Sequence, residues 1–219
     1  MNLLLVGVVL LVDLLAAQVS LSPPAQVTFE SVDFNNILRW TASTDDSDRR
    51  YHVQWKIYGA SEWKDVDHCH GIPMHHCDVS NVTSDLREWY YARLRASSSS
   101  STSAWVLSPR FNPRWDTKIS APLLRLNVTE RGIVVRVRTP PLLAGKIQSS
   151  LLYRSLLYRI YLVQPSGKEE VFEEIVCCAG KLLVTKVKHK SKYCLQVQTI
   201  NRLQGRSSAR GPRKCITTL

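Results

Sequence analysis

Apolar and polar residues alternate with a period of two through most of the chain. Over residues 51–58, Tyr51, Val53, Trp55 and Ile57 fall on one side and His52, Gln54 and Lys56 on the other, the signature of a strand with one buried face. Over residues 90–96, Ala92 and Leu94 point inward by the same rule while Arg93 and Arg95 point to solvent. Residues 37–40, 133–137, 157–163, 182–187 and 193–200 read as further strands, spaced as in antiparallel sandwiches. Only residues 149–158 have room for a turn of helix, and no window carries an apolar stripe of period 3.6 between caps. The pattern predicts an all-β chain.

The pattern also repeats. Each half opens on a proline and a short strand, at 24–29 and 122–128, and each has a late strand that begins on tyrosine, Tyr90 and Tyr193. Pro113 and Pro122 restrict the backbone between the halves. The chain therefore divides into a first β-sandwich at 18–113, a linker at 114–121 and a second β-sandwich at 122–219, each of about 100 residues, a common domain size. Residues 1–17 are expected to be a secretory signal peptide. Residues 3–12 form an apolar run of the right length, Asp13 stops it short of a membrane span, and Ala16-Ala17 offers a cleavage site, although a basic leading segment is missing. No later segment approaches spanning length, so the chain is expected to be secreted and extracellular, without a membrane anchor.

Charge changes the picture of the second half. The whole chain carries a formal +11, but residues 18–119 hold 11 Lys and Arg against 12 Asp and Glu, whereas residues 120–219 hold 18 against 5. A field of one sign on one module attracts polyanions, and sulfated glycans of the heparan type are the extracellular candidates. Nucleic acid is not expected, since no recognition-helix or aromatic RNA-binding motif is present.

Six cysteines, at 69, 77, 177, 178, 194 and 215, permit many pairings, and spacing alone does not select one. In an oxidising compartment local pairs are the economical choice: Cys69 with Cys77, and Cys194 with Cys215. Cys177 and Cys178 are adjacent, too close for an unstrained bridge to each other, and are expected to be free and buried, the alternative being that one of them pairs with another chain. The first pair lies in Asp67-His-Cys-His-Gly-Ile-Pro-Met-His-His-Cys-Asp78, where His68, His70, His75 and His76 crowd around it. Once oxidised, the cysteines are lost as zinc thiolates, and histidines flanking a tight loop seldom converge as four ordered ligands. The stretch is expected to be a disulfide-closed loop, with no metal and no cofactor.

Several stretches together carry a family resemblance. They are Phe34-Asn-Asn-Ile-Leu-Arg-Trp40, Gln54-Trp-Lys-Ile-Tyr-Gly59 followed by Trp63-Lys64, the Cys69 to Cys77 spacing, Tyr90-Tyr-Ala-Arg-Leu-Arg-Ala96, Ser108-Pro-Arg-Phe-Asn-Pro113 and Trp115-Asp-Thr-Lys-Ile119. This set resembles the ectodomain of a class II cytokine receptor; in the second half Leu156-Leu-Tyr-Arg159 and the Cys194 to Cys215 spacing carry the likeness. The resemblance implies two fibronectin type III-like modules meeting at an elbow, where loops hold an interleukin-22-type helical cytokine. With no membrane helix before residue 219, it implies a soluble decoy that keeps the cytokine from its signalling receptor.

The resemblance puts Tyr58-Gly59, at the end of the strand bearing Lys56, on the cytokine, with Arg110 beside it. The residues agree on physical grounds. A tyrosine on a rigid turn offers a large contact area at low entropic cost, and Arg110 has the planar fork that grips a ligand carboxylate, its alternative being a stack on Trp105 or Trp115. The flexible run 97–101 falls where the family has a ligand-facing loop, and the loop 201–210 would bring Arg206 and Arg210 toward the elbow. Asn81-Val-Thr83 and Asn127-Val-Thr129 are N-glycosylation sequons. No nucleophile elbow, paired carboxylates or zinc-hydrolase motif appears, so a monomeric binding protein is expected rather than an enzyme. The second function class is an extracellular glycan- or matrix-binding adhesion module, whose affinity would fall steeply with salt.

Overall fold

The computed structural model describes residues 21–42, 48–140, 155–176 and 181–219, with backbone alone over 173–176. The expected signal segment and Cys177-Cys178 lie outside them. In the first module β1 (Ala25–Val32), β2 (Asn35–Thr41) and β5 (His76–Asp78) form one antiparallel sheet. The facing sheet runs β4 (Lys64–Ile72), β3 (Arg50–Ile57), β6 (Tyr90–Ser97) and β7 (Val106–Leu107). Their inward residues, among them Leu38, Tyr51, Val53, Val66, Ala92 and Leu94, close one core.

The second module follows the same plan after α1 (Pro113–Asp116). β8 (Leu123–Thr129), β9 (Gly132–Arg138) and β12 (Lys181–Val184) make one sheet. The other is built on β10 (Leu156–Val163), flanked by β11 (Glu169–Val176) and β13 (Lys192–Asn201), with β14 (Arg206–Ser207) and β15 (Lys214–Thr217) both pairing β13. Ile133, Leu156, Tyr158, Ile160, Leu195 and Val197 fill the core between them. Of the helical turn expected within 149–158, residues 149–154 lie outside the described residues, Ser155 is helical, and Leu156 to Tyr158 already belong to β10. Paired to β13 on one side and β11 on the other, these residues are buried on both faces and so lack a strand's usual alternation.

The tyrosine echo has a structural cause. Tyr90 opens β6 and Tyr193 stands second in β13, each an inner strand of the larger sheet in its module, and both hydrogen-bond to backbone five residues upstream. The Tyr90 hydroxyl donates to the Asp85 carbonyl at 3.1 Å, and the Tyr193 hydroxyl accepts from the Lys188 amide at 2.9 Å. Such corners pin the crossing between the two sheets of a sandwich.

The modules meet at a locked elbow. Asp33 and Phe34 form the two-residue β1–β2 turn with φ of 52° and 64°, the geometry of a type I′ hairpin. Phe34 is 3 % exposed and belongs to the core of the second module. The segment after α1 binds back on the same turn: the Lys118 carbonyl accepts from the Asp33 amide at 2.8 Å, Thr117 Oγ1 accepts from the Phe34 amide at 3.0 Å, and the Asp33 carboxylate accepts from both the amide and the hydroxyl of Ser120. Burial and these bonds hold a bulky residue in a backbone region it otherwise avoids.

Candidate functional site

Tyr58 stands at the elbow end of β3. Ile57 to Ala60 close a tight turn through the Ala60 amide and Ile57 carbonyl at 3.1 Å, with Gly59 at φ 85° in the position where a type II turn needs positive φ. The Tyr58 amide donates to the Trp89 carbonyl at 2.7 Å, which fixes the backbone while leaving the side chain 59 % exposed. Lys56 is turned inward on this loop, its ammonium donating to the Ala60 carbonyl at 3.0 Å and lying 5.0 Å from the Trp63 ring centre. It supports the turn.

Arg110 is exposed beside Tyr58. Its guanidinium stacks on Trp89 at 4.2 Å and lies 5.8 Å from the Tyr58 ring, rather than on Trp105 or Trp115 as its alternative reading had it. The chain then runs into α1, where Asn112 caps the amides of Arg114 and Trp115, Pro113 takes the first helical position, and the Asp116 carboxylate accepts from the Asn112 amide at 2.7 Å. This reciprocal N-terminal cap presents Trp115, 39 % exposed, as a fixed ledge.

The 201–210 loop reaches this ledge at one end only. Gln204 donates to the Arg114 carbonyl at 2.6 Å, and Arg206 to the Trp115 carbonyl at 3.3 Å. Arg210 is elsewhere: it pairs with Glu169 at 2.7 Å and stacks on Tyr161 at 3.6 Å. Tyr161 faces Gln196, five residues down β13 from Asn201, which at about 3.3 Å per residue is roughly 16 Å from the elbow end of the sheet. The 97–101 run is farther from Tyr58 than expected, because Ser97 pairs with Arg50 while Tyr90 pairs with Ile57, which sets it at the opposite end of the sheet. The structure thus brings Lys56, Tyr58, Gly59, Arg110 and Arg206 to the elbow and leaves Arg210 out.

Trp89, Tyr91 and Trp115 were missed as members of this surface. Tyr91 lies 6.2 Å from Tyr58 ring to ring. The available signal was the Trp89-Tyr90-Tyr91 cluster at a strand start opposite the Tyr58-Gly59 turn. Behind the loop, Arg93 is clamped between Trp63 and Trp105 at 4.5 Å each and donates twice to Gln54 Oε1, which stiffens the strands that carry the turn.

The histidine stretch forms strands rather than a loop. Cys69 is on β4 and Cys77 on β5, so their disulfide ties the two sheets of the first module together. Alternation hides this, because bulges in the β3–β4 pairing bury Val66, Cys69 and Ile72 at every third position. His68 and both cysteines have ligand atoms within 4.8 Å of one another, but the sulfurs are bonded to each other, and His68 Nε2 lies 2.7 Å from the Asp78 carbonyl. His70 faces His52, and His75 packs edge-on to Tyr51. The second bridge joins cross-strand partners Cys194 and Cys215.

His52 carries a pH dependence. Its Nε2 lies 2.7 Å from Ser97 Oγ, and burial, then the charges of His70 and Arg95, lower its pKa below the ordinary 6.5, with Asp65 opposing weakly. The unfolded chain therefore takes the proton more readily than the folded one, so this contribution to stability is present above pH 6.5 and is lost as pH falls through the folded value. Thermal melts are expected to drop below about pH 6.5, and His52→Gln to flatten that part of the profile. Identical acid limbs in the two proteins would exclude His52 as the cause.

Both sequon asparagines are exposed, Asn81 beyond β5 and Asn127 on β8. Among the described residues no helix is long and apolar enough to cross a membrane.

Comparison with known proteins agrees with this architecture. Residues 1–105 match the family described as tissue factor, and residues 117–219 the interferon-alpha/beta receptor, fibronectin type III. The chain is 32 % identical to interleukin-22 receptor subunit alpha-2 of Mus musculus, over 91 % of this chain and 89 % of that protein. It is 29 % identical to the Homo sapiens protein of the same name, over 88 % of each, and 29 % identical to Homo sapiens interleukin-20 receptor subunit alpha, over 91 % of this chain but 37 % of that one. The crystal structure of the chicken interferon gamma receptor alpha chain superposes with a TM-score of 0.78 at 20 % identity, over 90 % of this chain and 98 % of that one. The architecture is that of two tandem fibronectin type III-like modules. The chain belongs to the class II cytokine receptor family.

Proposed function

We propose that this chain is exported, with residues 1–17 as its signal, and acts as a decoy that captures an interleukin-22-type helical cytokine at the elbow and withholds it from the signalling receptor. The observation that carries the reading is the exposed Tyr58 on a backbone-pinned turn, with Tyr91 and Arg110 beside its ring and Trp89 under the Arg110 guanidinium. Rigid aromatics beside an arginine are the composition of an interface hot spot. The choice of ligand rests on the similarity to interleukin-22 receptor subunit alpha-2. The decoy role is supported by length: two modules like these make up 89 % of that mouse relative but only 37 % of interleukin-20 receptor subunit alpha, so the former has little room for anything else.

In this reading Tyr58 and Trp115 supply contact area, Arg110 and Arg206 meet ligand carboxylates, Lys56 and Gly59 hold the turn, and the chain performs no chemistry of its own. Asn81 carries oligosaccharide. The purified chain is expected to bind an interleukin-22-type cytokine with an affinity that persists in high salt and in chelator, and to suppress that cytokine's signal in responsive cells. Absence of binding at micromolar concentration would end the proposal, and binding without suppression would end its decoy part.

A further inference from the structure

The outer face of the β12–β9–β8 sheet is a row of cations. Register sets Arg125 opposite Arg136 and Arg136 opposite Lys181, all three exposed, and the next pair along adds exposed Arg138 opposite Leu123. Neighbouring strands lie only about 5 Å apart, and like charges directly opposite one another destabilise a sheet. The three strands contain no Asp or Glu. Among the described residues none of these four cations has a carboxylate partner.

The module's acids are segregated from this face. Of its five, Glu169, Glu170, Glu173 and Glu174 lie on β11 in the other sheet, and Glu130 sits in the β8–β9 turn. Four of the 18 Lys and Arg of residues 120–219 thus stand on one face, where among the described residues no carboxylate neutralises them. A fold that bears such a row at a cost recovers stability when a ligand brings the counter-charge.

We propose that this face binds the sulfate and carboxylate groups of a linear sulfated glycosaminoglycan lying across the strands along Arg125, Arg136 and Lys181. A fixed line of cations on a rigid sheet matches a stiff chain with regularly spaced anions. Exposed Leu123 and Leu183 flank the row and offer apolar contact to sugar rings, and a shallow depression bordered by Glu130, Arg131, Val134 and Lys181 adjoins it. The inference rests on the proposed export, since sulfated glycosaminoglycans are polyanions of the extracellular space. It does not depend on the cytokine surface, whose residues lie on other elements.

The test uses the full chain with Asn127→Gln, because Asn127 is the next exposed position along β8 and an oligosaccharide there would cover the row. Binding is measured to immobilised heparin and to phosphatidylserine vesicles over a salt series. Replacing Arg125, Arg136 and Lys181 by Gln is expected to weaken heparin binding at least about tenfold and to reduce the slope of log affinity against log salt by about 2. A charge-matched triple, Lys64→Gln, Lys168→Gln and Arg202→Gln, exposed on β4, in the β10–β11 turn and in the β13–β14 loop, is expected to lose less than about threefold. Thermal melts check that both variants fold; should the first fail, Arg136→Gln alone, at the centre of the row, is expected to lose about threefold.

Equal losses in the two triples would show that net charge alone is sensed and overturn the proposal, as would no heparin retention near physiological salt. Tighter binding to vesicles than to heparin, abolished by Leu123→Asp, would assign the face to a lipid surface instead. Loss of cytokine binding with heparin binding intact would leave this inference standing.

Discussion

Tyr58→Ala is expected to weaken cytokine binding by at least about 2 kcal/mol, roughly thirtyfold in Kd, with the melting temperature nearly unchanged. The two halves of this expectation have separate causes. With the side chain 59 % exposed, the folded chain draws little packing energy from it, and surface substitutions of this kind usually fall within about 0.5 kcal/mol. The turn survives the change because it is held by backbone bonds from Tyr58 to Trp89 and from Ala60 to Ile57. Binding, by contrast, would lose a pre-positioned aromatic and part of the stack on Arg110. Tyr58→Phe should retain most of the affinity if contact area is what matters. Titration calorimetry beside thermal melts decides it, and an alanine variant that binds like the parent would remove Tyr58 from the site.

Phe34→Ala has the larger expected effect on the fold, about 3 to 5 kcal/mol, the usual range for emptying a buried phenylalanine site. The loss should fall on the second module although residue 34 belongs to the first, because the ring is packed among the second module's core residues. Alanine at φ 64° keeps the backbone strain while giving up the burial that offsets it. Denaturant unfolding is expected to show the second module melting earlier, and small-angle scattering to show a broader range of elbow angles. A variant with the parent's unfolding midpoint and scattering curve would mean that the ring does not hold the elbow. Cytokine affinity should fall too, since Tyr58 on one side and Arg206 on the other would no longer be held in one arrangement.

Much of the fold was legible because a half-buried strand writes its geometry into alternating side chains. Residues 51–57 and 90–96 were readable for this reason. Strands escaped where the rule fails physically: β4 because bulges shift its buried positions to every third residue, and β11 because its acids at 169, 170, 173 and 174 dilute the apolar alternation. The Tyr58-Gly59 turn was legible from a strand that ends on a glycine able to take positive φ. Its aromatic neighbours were not, since Trp89 and Tyr91 approach Tyr58 only through the pairing of β3 with β6, across more than thirty positions of sequence. Arg210 shows the converse. Its place in an arginine-rich loop suggested the elbow, whereas an acid and a tyrosine on two other strands hold it away.

By itself the sequence determined the class of the fold, its division into two modules and the excess of positive charge in the second half. These follow from periodicity, composition and short-range chain connectivity, which act between near neighbours. Only the tertiary structure decided which side chains share a surface. Strand register set Arg125, Arg136 and Lys181 in one row, the elbow drew Phe34 into the other module's core, and the β3–β6 pairing gathered Tyr58, Trp89 and Arg110 at one end. Such contacts depend on which strands pair and at what offset, and pairing is settled by the burial of the whole core at once.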